Sequence, residues 1–187
     1  MIKNFVIESL DRLGKDTLVS GILDTYGYKL VCHRSKPITL KKYQSQSINH
    51  LFRYQHDCFN NDMNLLHANE KSSSLSGVIF NRSWLGESVY APLYRKYEGT
   101  YVFDLEKQNA VNELTSTRLI LLTEDFSKSQ HFVDDGLSFD ITKREQEQNL
   151  FLTAFERSMI ADKKMICVTG EDGKFRPISE ILKDAIT

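Results

Sequence analysis

The chain has 187 residues, 41% of them hydrophobic and 26% charged, with a formal net charge of −1. That balance suits an ordinary globular domain with a full core, and it excludes a general electrostatic attraction to nucleic acid or to an anionic membrane. No apolar run approaches the roughly 20 residues of a membrane-spanning helix, and Cys32, Cys58 and Cys167 form neither a zinc spacing nor a disulfide framework.

The expectation is one domain over 1–187 in a reducing cytoplasm, entered at Met1 without a leader segment. In chain order, apolar runs at 4–8, 28–33, 77–81, 118–123 and 164–169 read as buried strands. Helical spacing follows each of the first two. Leu18, Val19, Ile22, Leu23 and Tyr26 share a face over 15–26, with Gly27 placed to end the helix. Tyr43, Ser47, Leu51, Tyr54 and Cys58 recur at helical intervals over 40–60, and residues 70–76 read as a polar loop. A further helix over 142–159 aligns Leu150, Phe151, Ala154, Phe155 and Met159, and 178–186 closes with Ile178, Ile181, Leu182 and Ala185. Strands alternating with helices predict a three-layer α/β/α fold around a five-stranded parallel sheet. Ligands of such sheets sit at the carboxyl ends of the strands, so the informative loops follow residues 8, 33, 81, 123 and 169.

The first of these loops is the most telling. Phe5-Val6-Ile7 is followed by Glu8-Ser9-Leu10-Asp11-Arg12-Leu13-Gly14-Lys15-Asp16-Thr17 and then by the helix. Strand, Gly-Lys loop and helix is the layout of a phosphate-binding loop: backbone N–H groups and the positive helix end face the anion, and the lysine supplies a mobile charge. Ser9 stands where that pattern has Gly, and Asp16 where it has Ser or Thr. The plain alternative is a Gly-Lys pair that only starts a helix. The third loop opens with Asn81-Arg82 at the level where a phosphate loop lies. A polar residue there suits a metal-bound water, and an arginine grips phosphate with two parallel N–H groups.

Together these segments resemble the thymidylate kinase family of P-loop nucleoside monophosphate kinases. Residues 7–17 look like that family's Glu-Gly-x-Asp-Arg-x-Gly-Lys-(Ser/Thr)-Thr loop, and Phe80-Asn81-Arg82 with Tyr90 looks like its Asp-Arg-(Tyr/Phe) motif and the aromatic after it. Gly86-Glu87-Ser88-Val89-Tyr90-Ala91-Pro92-Leu93-Tyr94-Arg95 is similar to phage-encoded members, which would place the protein in the host cytoplasm. The likeness runs from residue 1 to about 187, with an unusual stretch around 97–117.

The resemblance implies a single P-loop kinase domain that phosphorylates a deoxypyrimidine nucleoside monophosphate, dTMP or dUMP, with ATP and Mg²⁺, and that acts as a homodimer. Apolar helix faces in 40–60 and 77–95 would supply the subunit contact. Arg12 and Lys15 would be catalytic, since phosphoryl transfer needs positive charge and in-line positioning more than a base. Leu13, Gly14, Lys15, Asp16 and Thr17 would hold the ATP phosphates. Asp11 would meet the acceptor's 3′-hydroxyl, Arg82 its phosphate, and Tyr90 its deoxyribose. Arg34 follows the second strand and could face the acceptor. In the next helix Phe52 or Tyr54 could stack on the base, and Arg53, Gln55 or His56 could hydrogen-bond to it; each also reads plainly as a core aromatic or a solvated polar residue. Asp16, and Asn81 through water, would meet the metal. Asn81 replaces a carboxylate and Asp16 adds one, which reads as a relocated metal partner. The lid would span 124–144, where only Lys128, Lys143 and Arg144 are basic, and the 169–177 loop would hold the adenine.

Two alternatives stay open. A deoxynucleoside kinase would carry a base-like carboxylate after the second strand, where this chain has His33-Arg34. A nucleotide-binding regulator without turnover would show the same departures at Ser9, Asp16 and Asn81.

Overall fold

The computed structural model describes residues 2–27, 30–33, 48–73, 77–128 and 140–187. Five strands form one parallel sheet: β1 (Asn4–Ser9), β2 (Leu30–His33), β3 (Val78–Asn81), β4 (Thr117–Thr123) and β5 (Asp162–Cys167), in the order β2-β3-β1-β4-β5. Among the described residues six α-helices flank it: α1 (Lys15–Tyr26), α2 (Ile48–Lys71), α3 (Leu85–Tyr90), α4 (Tyr101–Gln108), α5 (Arg144–Arg157) and α6 (Ile178–Ile186). This is the three-layer α/β/α fold around a parallel sheet that the alternation of apolar runs and helical spacings predicts.

The central strands β1, β3 and β4 are buried along their whole length and apolar in their middles, because both sheet faces are covered. Successive side chains point to opposite faces, so Phe5 and Ile7 of β1 join one core with Leu18, Val19 and Ile22 of α1 and Ile181 and Ala185 of α6. Val6, between them, joins a second core with Phe59, Met63 and Leu66 of α2, Phe80, Trp84 and Val102. Each such fully buried side chain stabilises the fold by about 1.5–3 kcal/mol relative to exposure.

Register then sets the site. Ile7 lies opposite Asn81, and His33 opposite the same Asn81 on the other side. The ends of β1, β2 and β3 therefore reach one level. The backbone N–H of Arg82 donates to Ile7 O at 3.0 Å, which fixes the exit of β3 beside the exit of β1.

Several sequence expectations are corrected. The second helix does not end near residue 60 but runs to Lys71, because Phe59, Met63 and Leu66 keep its core face apolar and Glu70 accepts from Thr115 and Ser116. The stretch around 97–117 holds α4 and a short 3-10 turn, Val111–Glu113. It is held by a buried carboxylate: Glu106 accepts from Trp84 Nε1 at 2.8 Å, Ser158 Oγ at 2.7 Å and the Met159 amide at 2.6 Å. The apolar residues of 77–95 are not a subunit patch. Val78, Ile79, Phe80, Trp84, Leu85, Val89 and Tyr90 are buried within the chain itself, as are Leu51, Phe59 and Met63 of α2. Among the described residues no helix is long and apolar enough to cross a membrane.

Candidate active site

The loop between β1 and α1 departs from ordinary backbone at two residues. Gly14 sits at φ 81° and caps α1, and Arg12 sits at φ 68°. Left-handed backbone costs a non-glycine residue energy and marks a position that its surroundings force. Arg82, at the exit of β3, has φ 73° as well. Arg12 and Arg82 therefore both sit on strained backbone at the head of the sheet. Leu13 is buried, so only its backbone faces the loop, while Thr17 is exposed on α1.

Lys15 is buried and folds back on the loop. Its Nζ donates to Ser9 Oγ at 2.8 Å, to Leu10 O at 2.9 Å and to Ser9 O at 3.3 Å. Ser9, in the place of the usual glycine, thus supplies a docking point for the lysine. Burial, and then the nearby Arg82 charge, bring the Lys15 ammonium down to about 7. Next to it, Glu8 is buried at the end of β1 and its carboxyl is pushed up by desolvation. Its Oε1 accepts from the Ser83 amide at 2.6 Å, from Ser83 Oγ at 2.7 Å and from the Gly86 amide at 3.3 Å. Glu8 therefore stitches the start of α3 to the phosphate loop.

Arg82 Nη2 donates to Asp11 Oδ1 at 2.7 Å. Burial draws the guanidinium pKa down, but Asp11 beside it outweighs that and holds it above its ordinary value. Tyr90 packs against this pair. It is 4% exposed, its ring lies edge-on to Phe151 at 5.7 Å and stacks on Tyr94 at 6.2 Å, and burial raises its hydroxyl pKa well above the ordinary value. Gly86 lies beneath both groups: a Cβ there would touch the Tyr90 ring at 3.6 Å and Glu8 Oε1 at 3.8 Å, ordinary contact distances. From the far side, Arg144 at the start of α5 donates to Asp11 O at 3.1 Å and is paired with the buried Glu124.

Asp16 and Asn81 meet: Asn81 Nδ2 donates to Asp16 Oδ1 at 2.5 Å and lies 3.1 Å from His33 Nδ1. Among the described residues no group of three or more His, Cys, Asp or Glu side chains is placed to hold a metal ion. A carboxylate and a carboxamide are hard oxygen donors. They fit Mg²⁺, which is typically held by one or two carboxylates together with substrate phosphates and water.

On α2, Phe52 and His56 lie one turn apart and share an aromatic cluster with two residues that sequence reasoning left unassigned. Phe52 sits 4.6 Å from the Tyr101 ring and 6.3 Å from Tyr97, and His56 stacks on Tyr101 at 6.0 Å. Behind the tyrosines, the buried Glu87 accepts from Arg95 Nη1 at 2.6 Å, from the Tyr101 hydroxyl at 3.3 Å and from the Tyr97 hydroxyl. Gln55 is half-buried, whereas Arg53 and Tyr54 are exposed, off the face that Phe52 and His56 share. The four-residue spacing of Tyr97 and Tyr101 was the available signal for this cluster. Arg34 and most of the expected lid, 129–139, lie outside the described residues. The lid's described edges are tied down: Lys128 pairs with Glu171 at 2.9 Å, and Lys143 sits 5.1 Å over the Tyr94 ring.

No family model matches this chain. No curated protein matches it in sequence. Solved structures do resemble it. The YorR protein of Bacillus subtilis, solved in complex with phosphorylated GDP, superposes with a TM-score of 0.61 at 16% identity, over 98% of this chain and 94% of that one. The thymidylate kinase of Candida albicans, described as having broad substrate specificity, superposes with a TM-score of 0.54 at 15% identity, over 97% of this chain and 88% of that one. At such identities the likeness carries the fold.

Proposed function

We propose that this chain is a nucleoside monophosphate kinase that moves the γ-phosphoryl group of ATP onto the phosphate of a deoxypyrimidine nucleotide, dTMP or dUMP. The observation that carries the reading is the convergence of two cations at the head of one parallel sheet. Lys15 lies in the loop after β1 and Arg82 at the exit of β3, close enough that the charge of one depresses the protonation of the other. Two buried or half-buried cations brought together, each with carboxylates nearby, suit a site that receives anions. Two of them, on separate elements, suit a donor phosphate and an acceptor phosphate.

The roles follow from placement. The amides of 12–17 and Lys15 hold the donor phosphates at the start of α1. Asp11 keeps the Arg82 guanidinium oriented, and Arg82 grips the acceptor phosphate with its planar fork. Arg12, on the strained turn between them, adds positive charge along the path of transfer. Tyr90 borders the acceptor sugar, and Phe52 with Tyr101 forms the wall for the base. Asp16, and Asn81 through water, would hold Mg²⁺, which when bound offsets the charge of the donor phosphates. The 124–144 segment is the lid that excludes water. The homodimer implied by the family resemblance belongs to this reading, through surfaces other than the buried faces of α2 and 77–95.

Arg82→Ala tests the assignment. Calorimetric titration should show acceptor monophosphate binding weakened by at least about tenfold, as loss of a charge-assisted contact at a partly buried site implies, with ATP affinity little changed. Wild type should bind dTMP more tightly than thymidine. Equal losses for donor and acceptor in a folded variant contradict the assignment, and tighter binding of the nucleoside favours the nucleoside kinase alternative.

A further inference from the structure

Phosphate-loop enzymes commonly hold Mg²⁺ with a hydroxyl that follows the loop lysine and a carboxylate from a neighbouring strand. In this chain the residue after Lys15 is Asp16, and the neighbouring strand β3 ends in Asn81. These two exchanged positions touch, through the 2.5 Å bond from Asn81 Nδ2 to Asp16 Oδ1. We propose that the carboxylate of the metal site has been moved across this hydrogen bond from strand to helix, so that Asp16 is the charged oxygen donor and Asn81 and His33 position it. The inference rests on the kinase reading, because a bound nucleotide must share the metal.

Charge, burial and hydrogen bonding all favour the exchange. An aspartate with an asparagine carries one negative charge whichever way round they stand, so the net charge beside a bound cation is unchanged. Asn81 is 4% exposed, whereas Asp16 is exposed. A carboxylate at 81 would be stripped of water, while at 16 it stays hydrated and sits in the first turn of α1, where the helix dipole favours negative charge. The third element is His33. Asn81 Nδ2 has two protons; one goes to Asp16 Oδ1, and with His33 in the tautomer protonated at Nε2 the other goes to His33 Nδ1. The amide is thereby held with its nitrogen toward Asp16. The Asp16 oxygen that takes this bond is oriented by it, and the other oxygen is what the carboxylate presents to a cation. His33 and Asn81 are positioning residues; neither need touch the metal.

The test measures metal binding itself. Mn²⁺ is titrated into the protein with ADP, and free Mn²⁺ is read by electron paramagnetic resonance, for wild type, Asp16→Asn, His33→Ala and the exchanged pair Asp16→Asn with Asn81→Asp. Asp16→Asn should weaken Mn²⁺ in the ADP complex by at least about tenfold, and His33→Ala by less, as loss of a positioning partner does. ADP affinity measured without metal should change little. The exchanged pair restores one charge and one amide in contact, and should recover most of the Asp16→Asn loss. An Asp16→Asn protein that holds Mn²⁺ as tightly as wild type overturns the inference, as does a folded exchanged pair no better than Asp16→Asn. If the exchanged pair does not fold, Asp16→Glu decides: it keeps the charge and should hold Mn²⁺ better than Asp16→Asn, and failure to do so overturns the inference. A wild-type protein that binds no ADP contradicts the kinase reading. One that binds ADP, yet no more tightly with Mn²⁺ than without, contradicts only the relocated metal site.

Discussion

Lys15 is a cation that the free protein holds against its own loop. Its three acceptors are Ser9 Oγ and the carbonyls of Ser9 and Leu10, and burial brings its pKa to about 7. Anionic phosphates would raise it again. Nucleotide binding above neutrality should therefore take up a proton, and ADP affinity should fall as pH rises through about 7, where the free lysine loses its charge. Calorimetry in buffers of different ionisation enthalpy reads this directly; heats that do not depend on the buffer at about pH 8 would contradict a buried, depressed Lys15. The linked stability effect has a definite sign. The folded pKa lies below the unfolded value near 10.5, so the unfolded chain binds more protons between about 7 and 10.5. The destabilisation is complete below that window and is relieved as pH rises through it. At this scale the sequence was partly legible. Gly14-Lys15 and Arg82 announce anion contacts by residue type and spacing. Glu8 does not, because nothing in its position after an apolar run shows that three donors from 83–86 converge on it. The contact of Asp16 with Asn81 is equally silent, since it depends on the register of β1, β2 and β3 across the sheet.

Elements built from one dominant force were the legible ones. Each of the five strands carries an apolar stretch, and the central three, β1, β3 and β4, are buried along their length, so their existence was plain and only their ends moved by a residue or two. The α3 to α4 region was opaque because polar groups hold it. Glu87 and Arg95 are each 1% exposed and pair at 2.6 Å, Tyr97 and Tyr101 cap the carboxylate, and Glu106 anchors α4 to Trp84. Side chains that read as solvent-facing in a sequence are interior here because they pair with one another. Close packing across this region fixes one glycine by space rather than by torsion. A Cβ at Gly99 would lie 2.2 Å from Glu87 O and 2.7 Å from Ser88 Cα, both backbone. Gly99→Ala must push the segment off α3 and disturb the Glu87 cluster. We expect a loss of about 1–3 kcal/mol, the usual cost of overpacking, read as a shift in the urea midpoint at constant slope. A midpoint within error of wild type would show that the segment gives way without strain.

The whole molecule gathers its candidate groups at one end of the sheet. Lys15, Asp16, Arg82 and Asn81 come from loops or ends after β1 and β3, and Arg144 reaches the same level from α5 to bond Asp11 O. Residues 71 positions apart in sequence, Asp11 and Arg82, form a 2.7 Å ion pair there. The topology makes that meeting necessary, because β1 and β3 are neighbours in the sheet. The central claim is that this end of the sheet transfers a phosphoryl group between two nucleotides. The most direct measurement is product formation from ATP and Mg²⁺ with a panel of dTMP, dUMP, UMP, dCMP, dGMP and thymidine, resolved by chromatography, for wild type and Lys15→Ala. Diphosphates should form from dTMP or dUMP, with far less product from UMP because Tyr90 beside the acceptor sugar would crowd a 2′-hydroxyl, and Lys15→Ala should lose orders of magnitude. No nucleoside diphosphate from any member of the panel, with a folded wild-type protein that binds ATP, would contradict it.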